Sequence, residues 1–512
     1  MVFILLICPA KGGKNATVTE RDVIGGTDMG KELEQMLKRK EEILAGDAAR
    51  VKAQHDAGKL TARERIDKLL GAEFTELDQL TAGGESGVVT GYGVLGETPV
   101  YVWAQDYTVK GGAISASGAQ KVLKLLDLAK KAGKPVVSLL DSAGMRLDEG
   151  VCGLAAFARI LGKVAELSGV VPQVALVLGP VMGGSAMVAA QSDVVIQAKC
   201  GSLLANGPQI IGSAKGKPAD AALLGGIEAS AKSGISQLTC ETEDEAFELA
   251  SKVINLLPLN SACDDDLVET GDDYAREVPA LNDMAECDMR AAVKALADNG
   301  DVIEFTPDYA SKAVTAMGRL GDRAVGFVGV SGRVCPGMSA KIARFVRTCD
   351  CFNLPVVTLA DVEGFSVEAD NADMIKAQAQ LMFATAEATV PKIAVITGKA
   401  MGAAYMALAS KEVCDIAFAW PQASVAPLDA PAAVQMLHAD ELVGAADPAA
   451  KRAELESAYL HDVVDGVNAA KCGQVDAVIV PSDTRKDLIG ALETLEGKRE
   501  ERAPRKHGNM PL

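Results

Sequence analysis

Histidine and aromatic residues are scarce in this sequence. The 512 residues include four histidines, and aromatic side chains make up 4% of the chain. No histidine stands in a nucleophile or metal-binding motif, so a histidine-dependent triad and a histidine-rich metal site are both disfavoured. Few aromatic surfaces are available for stacking nucleic-acid bases. We therefore expect neither a bound metal ion nor a base-stacking function.

Positive charge is also in short supply. The formal net charge is −18 at pH 7. A protein that grips a polyphosphate backbone needs a basic surface, and the overall field of this chain repels one. We therefore exclude nucleic acid as a partner. A smaller anionic ligand would have to be held by local cations and helix N-termini.

Long apolar runs and paired cysteine motifs are absent. No stretch reaches 18 unbroken apolar residues, and the apolar residues 1–8 are too short to span a bilayer and lack a basic flank. The 11 cysteines include no CxxC pair, which favours reduced thiols in a large intracellular protein. We expect a cytoplasmic protein, attached to a membrane at most through a partner.

An internal repeat is the most informative feature that is present. Three blocks recur in the same order, including GKPVVSLLDSAG with FNLPVVTLADVEG and VPQVALVLGPVMGG with VPKIAVITGKAMGA. The offset between the copies is 220 residues at Asp141 and Asp361 and 219 at Gly183 and Gly402. A slow drift of this kind is typical of loop insertions and deletions within a duplicated unit.

Each copy predicts the same order of elements. A β-hairpin precedes an amphipathic helix, and fully apolar short strands then alternate with helices, as in a buried parallel sheet. The fold class is therefore α/β, with two tandem units. We predict a helical N-terminal arm (1–45), a first domain (46–262), an acidic linker, a second domain (275–490) and a charged tail (491–512).

The glycine turns after the second apolar strand of each copy are the main candidate sites. They contain Gly183 and Gly184 in the first copy and Gly402, Ala403 and Ala404 in the second. A strand that ends in glycine and leads into a helix of small residues presents unpaired backbone N–H groups, which can form an oxyanion hole. The alternative is that these glycines only permit close packing. Their matched positions favour function.

Two further loops carry candidate residues. Lys110, Gly111 and Gly112, followed by Ser115 and Lys121, could hold a phosphate-bearing ligand, although an ordinary strand-to-helix loop explains the pattern equally well.

Charged residues follow the matched strands. Asp141 and Asp361 end those strands, which is a functional position in α/β folds, but we favour the interpretation that they are helix N-caps. Arg146, Asp148 and Glu149 are predicted to form a network that shapes the site.

Several motifs resemble one enzyme family. They are GKLTARERI from Gly58, VYVWAQDYTVKGGAIS from Val100, DSAGMRLDEG from Asp141, EATVPKIAVITGKAMGAAY from Glu387 and AFAWP from Ala417. In order and over about residues 58–480, they are similar to the carboxyltransferase subunits of biotin-dependent acyl-CoA carboxylases and decarboxylases. The resemblance implies two crotonase-like (ββα spiral) domains, with the active site between the first domain of one subunit and the second domain of another.

The same resemblance implies roles for the two glycine turns. Gly183 and Gly184 would bind the enolate oxygen of an acyl-CoA thioester, and Ala403 and Ala404 would bind the ureido oxygen of carboxybiotin. Within the matching motifs we assign three further residues to substrate binding: Gly144, Tyr405 and Met406. The motif DVEGF departs from the family's DVPGF by carrying a glutamate, and Met406 lies where acyl specificity is set in relatives.

Missing segments indicate which partners the chain would need. It contains no AMKM-like biotin attachment segment and no ATP-grasp glycine loop. The resemblance therefore implies a biotin carboxyl carrier protein, a biotin carboxylase or membrane decarboxylase subunit, and a homo-oligomer (hexamer or dimer). Two alternatives stay open, a biotin-independent crotonase-type hydratase or isomerase and an inactive assembly subunit.

Overall fold

The structure is a computed structural model that describes five ranges of the chain: 26–264, 267–283, 288–464, 466–500 and 502–511. The predicted N-terminal arm is described from residue 26 onward, where helix α1 spans Gly26–Ala45. Its first 25 residues, with the apolar residues 1–8, lie outside the described ranges. None of the described helices is both long and apolar enough to cross a bilayer.

The first half contains one sheet. Its hydrogen-bonded order is β1-β2-β3-β4-β5-β6-β8, and β7 pairs with the far end of β5. The first three strands are antiparallel, and the others run parallel to β3. The strands are β1 (Thr75–Leu77), β2 (Val88–Leu95), β3 (Thr98–Gln105), β4 (Val136–Ser142), β5 (Gln173–Met182), β6 (Val194–Ala198), β7 (Ser202–Leu204) and β8 (Leu238–Cys240).

The second half repeats this sheet strand for strand. The order is β16-β14-β13-β12-β11-β10-β9, and β15 pairs with β13 as β7 pairs with β5. This correspondence confirms the duplicated α/β unit that the sequence predicts. The strands are β9 (Val302–Phe305), β10 (Ala313–Leu320), β11 (Arg323–Val334), β12 (Val356–Phe365), β13 (Lys392–Met401), β14 (Ile416–Ala419), β15 (Ser424–Ala426) and β16 (Ala477–Val478).

Helices cover the sheets and connect their parallel strands. In the first half they are α2 (Ala48–Asp56), α3 (Ala62–Leu70), α4 (Ala116–Ala132), α5 (Val151–Leu167), α6 (Gly184–Gln191), α7 (Pro208–Lys215), α8 (Ala221–Gly225), α9 (Ile227–Ser233) and α10 (Glu243–Leu256). In the second half they are α11 (Met289–Leu296), α12 (Pro336–Cys351), α13 (Asn371–Glu387), α14 (Gly402–Leu408), α15 (Ala430–Leu437), α16 (Ala439–Gly444), α17 (Pro448–Tyr459), α18 (Gly466–Lys471) and α19 (Thr484–Thr494).

The two halves share a hydrophobic core. Every residue of β4 is buried, as expected for a parallel strand covered on both faces. One continuous cluster of buried side chains joins Leu139 and Val174 of the first half to Phe345 and Cys349 of the second. Helix α19 crosses the predicted boundary at residue 490, and the tail beyond it packs on the second half. The halves therefore form one packed body.

A matched pair of aspartates shows how the halves diverge. Asp193 accepts a hydrogen bond from the Gln173 backbone N–H (2.8 Å), and Asp415 accepts the equivalent bond from Lys392 (2.7 Å). The Lys498 ammonium also binds Asp415 at 2.9 Å. Among the described residues, no cation lies within 4.0 Å of Asp193. Burial therefore raises the pKa of Asp193 to about 7.

We predict that Asp193→Asn stabilises the protein at pH 8 but not at pH 4. The unfolded chain loses this proton near pH 3.8, whereas the folded chain keeps it until about pH 7. Stability is therefore lost as the pH rises between these values. Asparagine removes that loss, which for about three pKa units is on the order of 4 kcal/mol. Urea unfolding of the wild type and the variant at both pH values measures this difference in the free energy of unfolding. Asp415→Asn, the control, breaks an ion pair and should destabilise; an equal effect of Asp193→Asn at both pH values would contradict the prediction.

Candidate functional site

The first candidate site is the turn from β5 into α6. Gly183 has a φ of +58°, a conformation that side chains other than glycine rarely adopt. Its N–H donates to the Leu204 carbonyl oxygen (3.0 Å), and α6 makes its first intrahelical bond from Met187 N–H to the Gly183 carbonyl (3.1 Å). The N–H groups of Gly184, Ser185 and Ala186 are therefore left without a helical partner.

This geometry corrects the donor role predicted for Gly183. Its amide is consumed by the contact with β7, so the residue shapes the turn and the amides available to a ligand begin at Gly184. The ideal Cβ position at Gly183 has no atom within 4 Å, whereas at Gly184 it would lie 2.5 Å from the Phe157 ring. Glycine is thus required at the first position by φ and at the second by packing.

The turn from β13 into α14 is similar, except that α14 includes its glycine whereas α6 begins one residue after it. Gly402 has a φ of +57°, matching Gly183 at an offset of 219 residues. Helix α14 begins at Gly402, so the N–H groups of Ala403 and Ala404 lie in its first turn and have no intrahelical acceptor. Ala403 is exposed and Ala404 is buried. The role predicted for this pair stays a prediction.

A second glycine closes each site from the neighbouring strand. Gly144 follows β4 with a φ of +113°, and Gly364 near the end of β12 has a φ of +104°. Their ideal Cβ positions lie 3.7 Å from the Met182 carbonyl oxygen and 3.9 Å from the Met401 carbonyl oxygen, respectively. We call residues 182–186 with Gly144 the N cradle, and residues 401–404 with Gly364 the C cradle.

The predicted glycine loop lies against the N cradle. The Ala143 N–H donates to the Gly111 carbonyl oxygen (2.8 Å), and a Cβ at Gly112 would lie 2.1 Å from the Asp141 carbonyl oxygen. This contact leaves room only for glycine and fixes Lys110, Gly111 and Gly112 beside the end of β4.

Ser115 and Lys121 have structural roles instead of the ligand-binding roles predicted for them. The Ser115 hydroxyl accepts from Gly118 N–H and caps α4, while the buried Lys121 ammonium donates to the Val88 carbonyl (2.9 Å). Burial lowers the pKa of Lys121. Lys341 occupies the matched position in α12 and likewise binds backbone carbonyls, those of Thr306 and Tyr309. The repeat therefore duplicated a lysine that holds the preceding loop.

The N-cap interpretation of Asp141 and Asp361 is wrong. The buried Asp141 carboxylate accepts from Gln54 (2.9 Å), Lys59 (3.1 Å) and Arg65 (2.8 Å). Asp361 accepts from the Lys399 backbone N–H.

Both carboxylates lie against a matched glycine of the next strand. A Cβ at Gly179 would lie 2.0 Å from Asp141 Oδ1, and one at Gly398 would lie 2.4 Å from Asp361 Oδ1. They therefore fix the strand ends that precede the cradles.

The charged loop after β4 forms the predicted network. Arg146 binds Asp148 through two hydrogen bonds (3.1 and 3.2 Å), and Lys110 lies 3.7 Å from the same carboxylate. Glu149 accepts from the Ala116 N–H at 2.6 Å, which ties the loop to α4. This pairing raises the pKa of Arg146 and lowers the pKa of Asp148. Both acids near the N cradle are thus already engaged.

The two cradles carry similar rims. Met187 and Met406 are related by the repeat and are both exposed (52% and 56%). Helices α6 and α14 therefore each present a methionine to solvent near their start. Tyr405 is partly buried, and its hydroxyl lies 3.4 Å from Gln474 Oε1, so its side chain packs within the second half. The sequence prediction missed Ser185 and Met187, although the offset of 219 at Gly402 would have identified both. Among the described residues, no group of His, Cys, Asp and Glu side chains could hold a metal ion.

Comparisons with known proteins agree with the duplicated architecture. The family model described as carboxyl transferase domain matches residues 53–510. The chain is 37% identical to the propionyl-CoA carboxylase carboxyltransferase subunit of Haloferax mediterranei, covering 93% of this chain and 98% of the relative. It is also 37% identical to methylmalonyl-CoA decarboxylase subunit alpha of Veillonella parvula, covering 91% and 96%.

A solved structure extends the likeness to the fold. The transcarboxylase 12S crystal structure with hydrolysed methylmalonyl-coenzyme A bound, described as a hexamer assembly, has a TM-score of 0.90 at 35% identity and covers 95% of this chain and 99% of its own. The two halves are therefore crotonase-like units, as the sequence predicts. The chain belongs to the carboxyl transferase domain family, whose members include subunits of acyl-CoA carboxylases and decarboxylases.

Proposed function

We propose that this chain transfers a carboxyl group between carboxybiotin on a carrier protein and a short-chain acyl-CoA, with propionyl-CoA and methylmalonyl-CoA as the acyl pair. The observation that carries the proposal is the presence of unpaired backbone amides at equal places in both halves, following Gly183 and Gly402. A reaction between two oxygen-bearing, resonance-stabilised groups needs one such cradle for each.

The N cradle suits the thioester. Removing the carboxyl group from an acyl-CoA, or adding one, passes through an enolate whose oxygen carries the developing negative charge. The N–H groups of Gly184 and Ser185 can donate to that oxygen, and the N-terminal end of α6 adds a favourable dipole. One preorganised donor of this kind is worth about 2.7–4 kcal/mol of barrier reduction.

The C cradle suits the ureido oxygen of biotin. Biotin supplies a ring nitrogen that carries the carboxyl group as a carbamate. Ala403 is exposed and has only a methyl group, so a bulky bicyclic ligand can approach its backbone. Donation from Ala403 and Ala404 to the ureido oxygen would stabilise the ring as its nitrogen loses or gains the carboxyl group. This chain's contribution is therefore orientation and hydrogen bonding from the backbone.

A cleft beside the N cradle can accept the phosphate-bearing end of coenzyme A. Its volume is about 650 Å³, and its lining combines four cations with four acids: Arg39, Arg50, Arg63 and Lys110, with Glu42, Asp47, Glu85 and Asp106. This size falls within the range of about 300–1,000 Å³ that is usual for ligand sites. Lys110 joins the cleft to the glycine loop that packs on β4.

The proposed function includes a second copy of the chain that joins the cradles. Apolar side chains are exposed around the N cradle at Leu147, Val151 and Leu154 (85%, 79% and 57%), and around the C cradle at Val367 and Ile375. Apolar rims of this kind mark interaction surfaces. We propose that the N cradle of one subunit faces the C cradle of another in a homo-oligomer. A biotin carboxyl carrier protein then delivers the ring to this interface.

The remaining partner determines the direction of the reaction. A biotin carboxylase would charge the carrier and make the chain part of a carboxylase, whereas a membrane decarboxylase subunit would discharge it. Both arrangements use the same cradles. We place the protein in the cytoplasm, in contact with a membrane only through such a subunit.

We predict that the purified chain removes the free carboxyl group of methylmalonyl-CoA only when biotin is present. Incubating the chain with methylmalonyl-CoA and free biotin should yield propionyl-CoA. Chromatography of the CoA esters measures the conversion. The direct control omits biotin. Biotin-independent hydration of an enoyl-CoA would support the hydratase alternative, and the absence of any turnover would support an inactive assembly subunit.

We also predict that Ala403→Pro lowers biotin-dependent turnover by about 10²–10³-fold, because proline removes one donor from the C cradle. Proline is tolerated in the first turn of a helix, so α14 should form normally. The matched control is Ala403→Ser, which keeps the N–H group and should stay within a few-fold of the wild type. The KM for methylmalonyl-CoA, measured by initial rates, should not change. Equal losses in both variants would remove this donor from the mechanism.

A further inference from the structure

A cavity between the two halves lies outside both cradles. It has a volume of about 200 Å³ and is formed by the start of β6 and the end of α9 from the first half, and by β9, β10 and α12 from the second. Phe305, Met317 and Phe345 give it a largely apolar wall, and all three side chains are buried. The cavity is therefore suited to a small ligand with an apolar body.

Two cations face this cavity without a carboxylate partner. Lys341 is buried and uses two of its three N–H donors on the carbonyls of Thr306 (2.8 Å) and Tyr309 (3.1 Å). Arg344, at the solvent-exposed mouth, donates from Nη2 to the Ser192 carbonyl (2.9 Å). In the part of the chain that the structure describes, no carboxylate oxygen lies within 4.0 Å of either side chain.

The acids around the cavity act on these cations from beyond ion-pairing distance. Asp193 lines the cavity, and burial raises its pKa to about 7, so about half of it is ionised at pH 7, and its charge favours the protonated form of Arg344. Glu304 is already bound by Arg290 at 2.9 Å. A partly buried positive charge is normally paired with an anion. Within the described ranges, no carboxylate of the chain therefore pairs directly with the two cations of this cavity.

We propose that this cavity binds a small organic monocarboxylate, with its carboxylate between Arg344 and Lys341 and its apolar part against Phe305, Met317 and Phe345. The third N–H donor of Lys341 and the unused donors of Arg344 provide charge-assisted hydrogen bonds to such a carboxylate. Because the walls come from both halves, the occupied cavity ties the first half to the second. This site is independent of the reaction proposed for the cradles.

Titration calorimetry with sodium butyrate and butyramide on the full chain at pH 7 tests the proposal. These probes have the same carbon skeleton and differ in charge. We expect butyrate to bind at least about tenfold more tightly than butyramide, and Arg344→Met to remove most of that difference. Arg347→Met is the matched control, because Arg347 lies on the same helix and pairs with Glu387 at the surface; it should bind butyrate as the wild type does.

A second variant fills the cavity without removing a charge. Ala340 lines the cavity, and Ala340→Leu should weaken butyrate binding while both cations remain. Circular dichroism melting of each variant establishes that it is folded. Equal binding of butyrate and butyramide to the wild type, or equal losses in Arg344→Met and Arg347→Met, would overturn the proposal, as would unchanged butyrate binding in Ala340→Leu.

Discussion

The left-handed glycine at each strand-to-helix turn is the constraint on which the rest of the structure depends. Gly183 and Gly402 adopt φ values near +58° and reverse the chain so that a helix begins directly at the strand end. The first amides of that helix are then unpaired and lie at the carboxyl edge of a parallel sheet, where α/β proteins bind their ligands. If the backbone amides perform the catalysis, as we propose, a carboxyl transferase chain with only four histidines is expected.

The supporting side chains show what the duplication kept and what it lost. Both halves retain an aspartate against a glycine of the neighbouring strand, and both retain a buried lysine that holds the preceding loop. The partners of these groups differ. Asp141 binds Arg65 and Lys59 of the first half, whereas Asp361 accepts a backbone N–H. Backbone geometry was thus kept more strictly than ionic pairing, as expected if the amides perform the chemistry.

Much of this arrangement is predictable from the sequence, because periodicity and repetition act locally. The hairpin turns at Gly96 and Gly321, the apolar strands and the matched glycine turns all lie where the pattern indicates. The errors concern side chains whose partners are distant in sequence. Asp141 has the local signature of a helix cap, and only the fold shows that Arg65 reaches it.

The sequence could not predict which polar groups near the cradles are already hydrogen-bonded, for the same reason. The hydrogen bond from Gly183 to Leu204 depends on the pairing of β7 with β5, which no local pattern reveals. Lys121 similarly has the appearance of a phosphate ligand until its burial is known. Backbone conformation at a turn is encoded within a few residues, whereas the availability of an amide or an ammonium is decided by the tertiary structure.

The most direct measurement of the central claim is complementation between two inactive chains. One chain carries Gly183→Val, which distorts the N cradle, and the other carries Ala403→Pro, which removes a donor from the C cradle. If each active site combines the N cradle of one subunit with the C cradle of another, random mixing restores intact sites at about one quarter of the wild-type number. Biotin-dependent turnover near that level in co-expressed oligomers is the expected result. Mixed oligomers that are no more active than either parent would contradict the account.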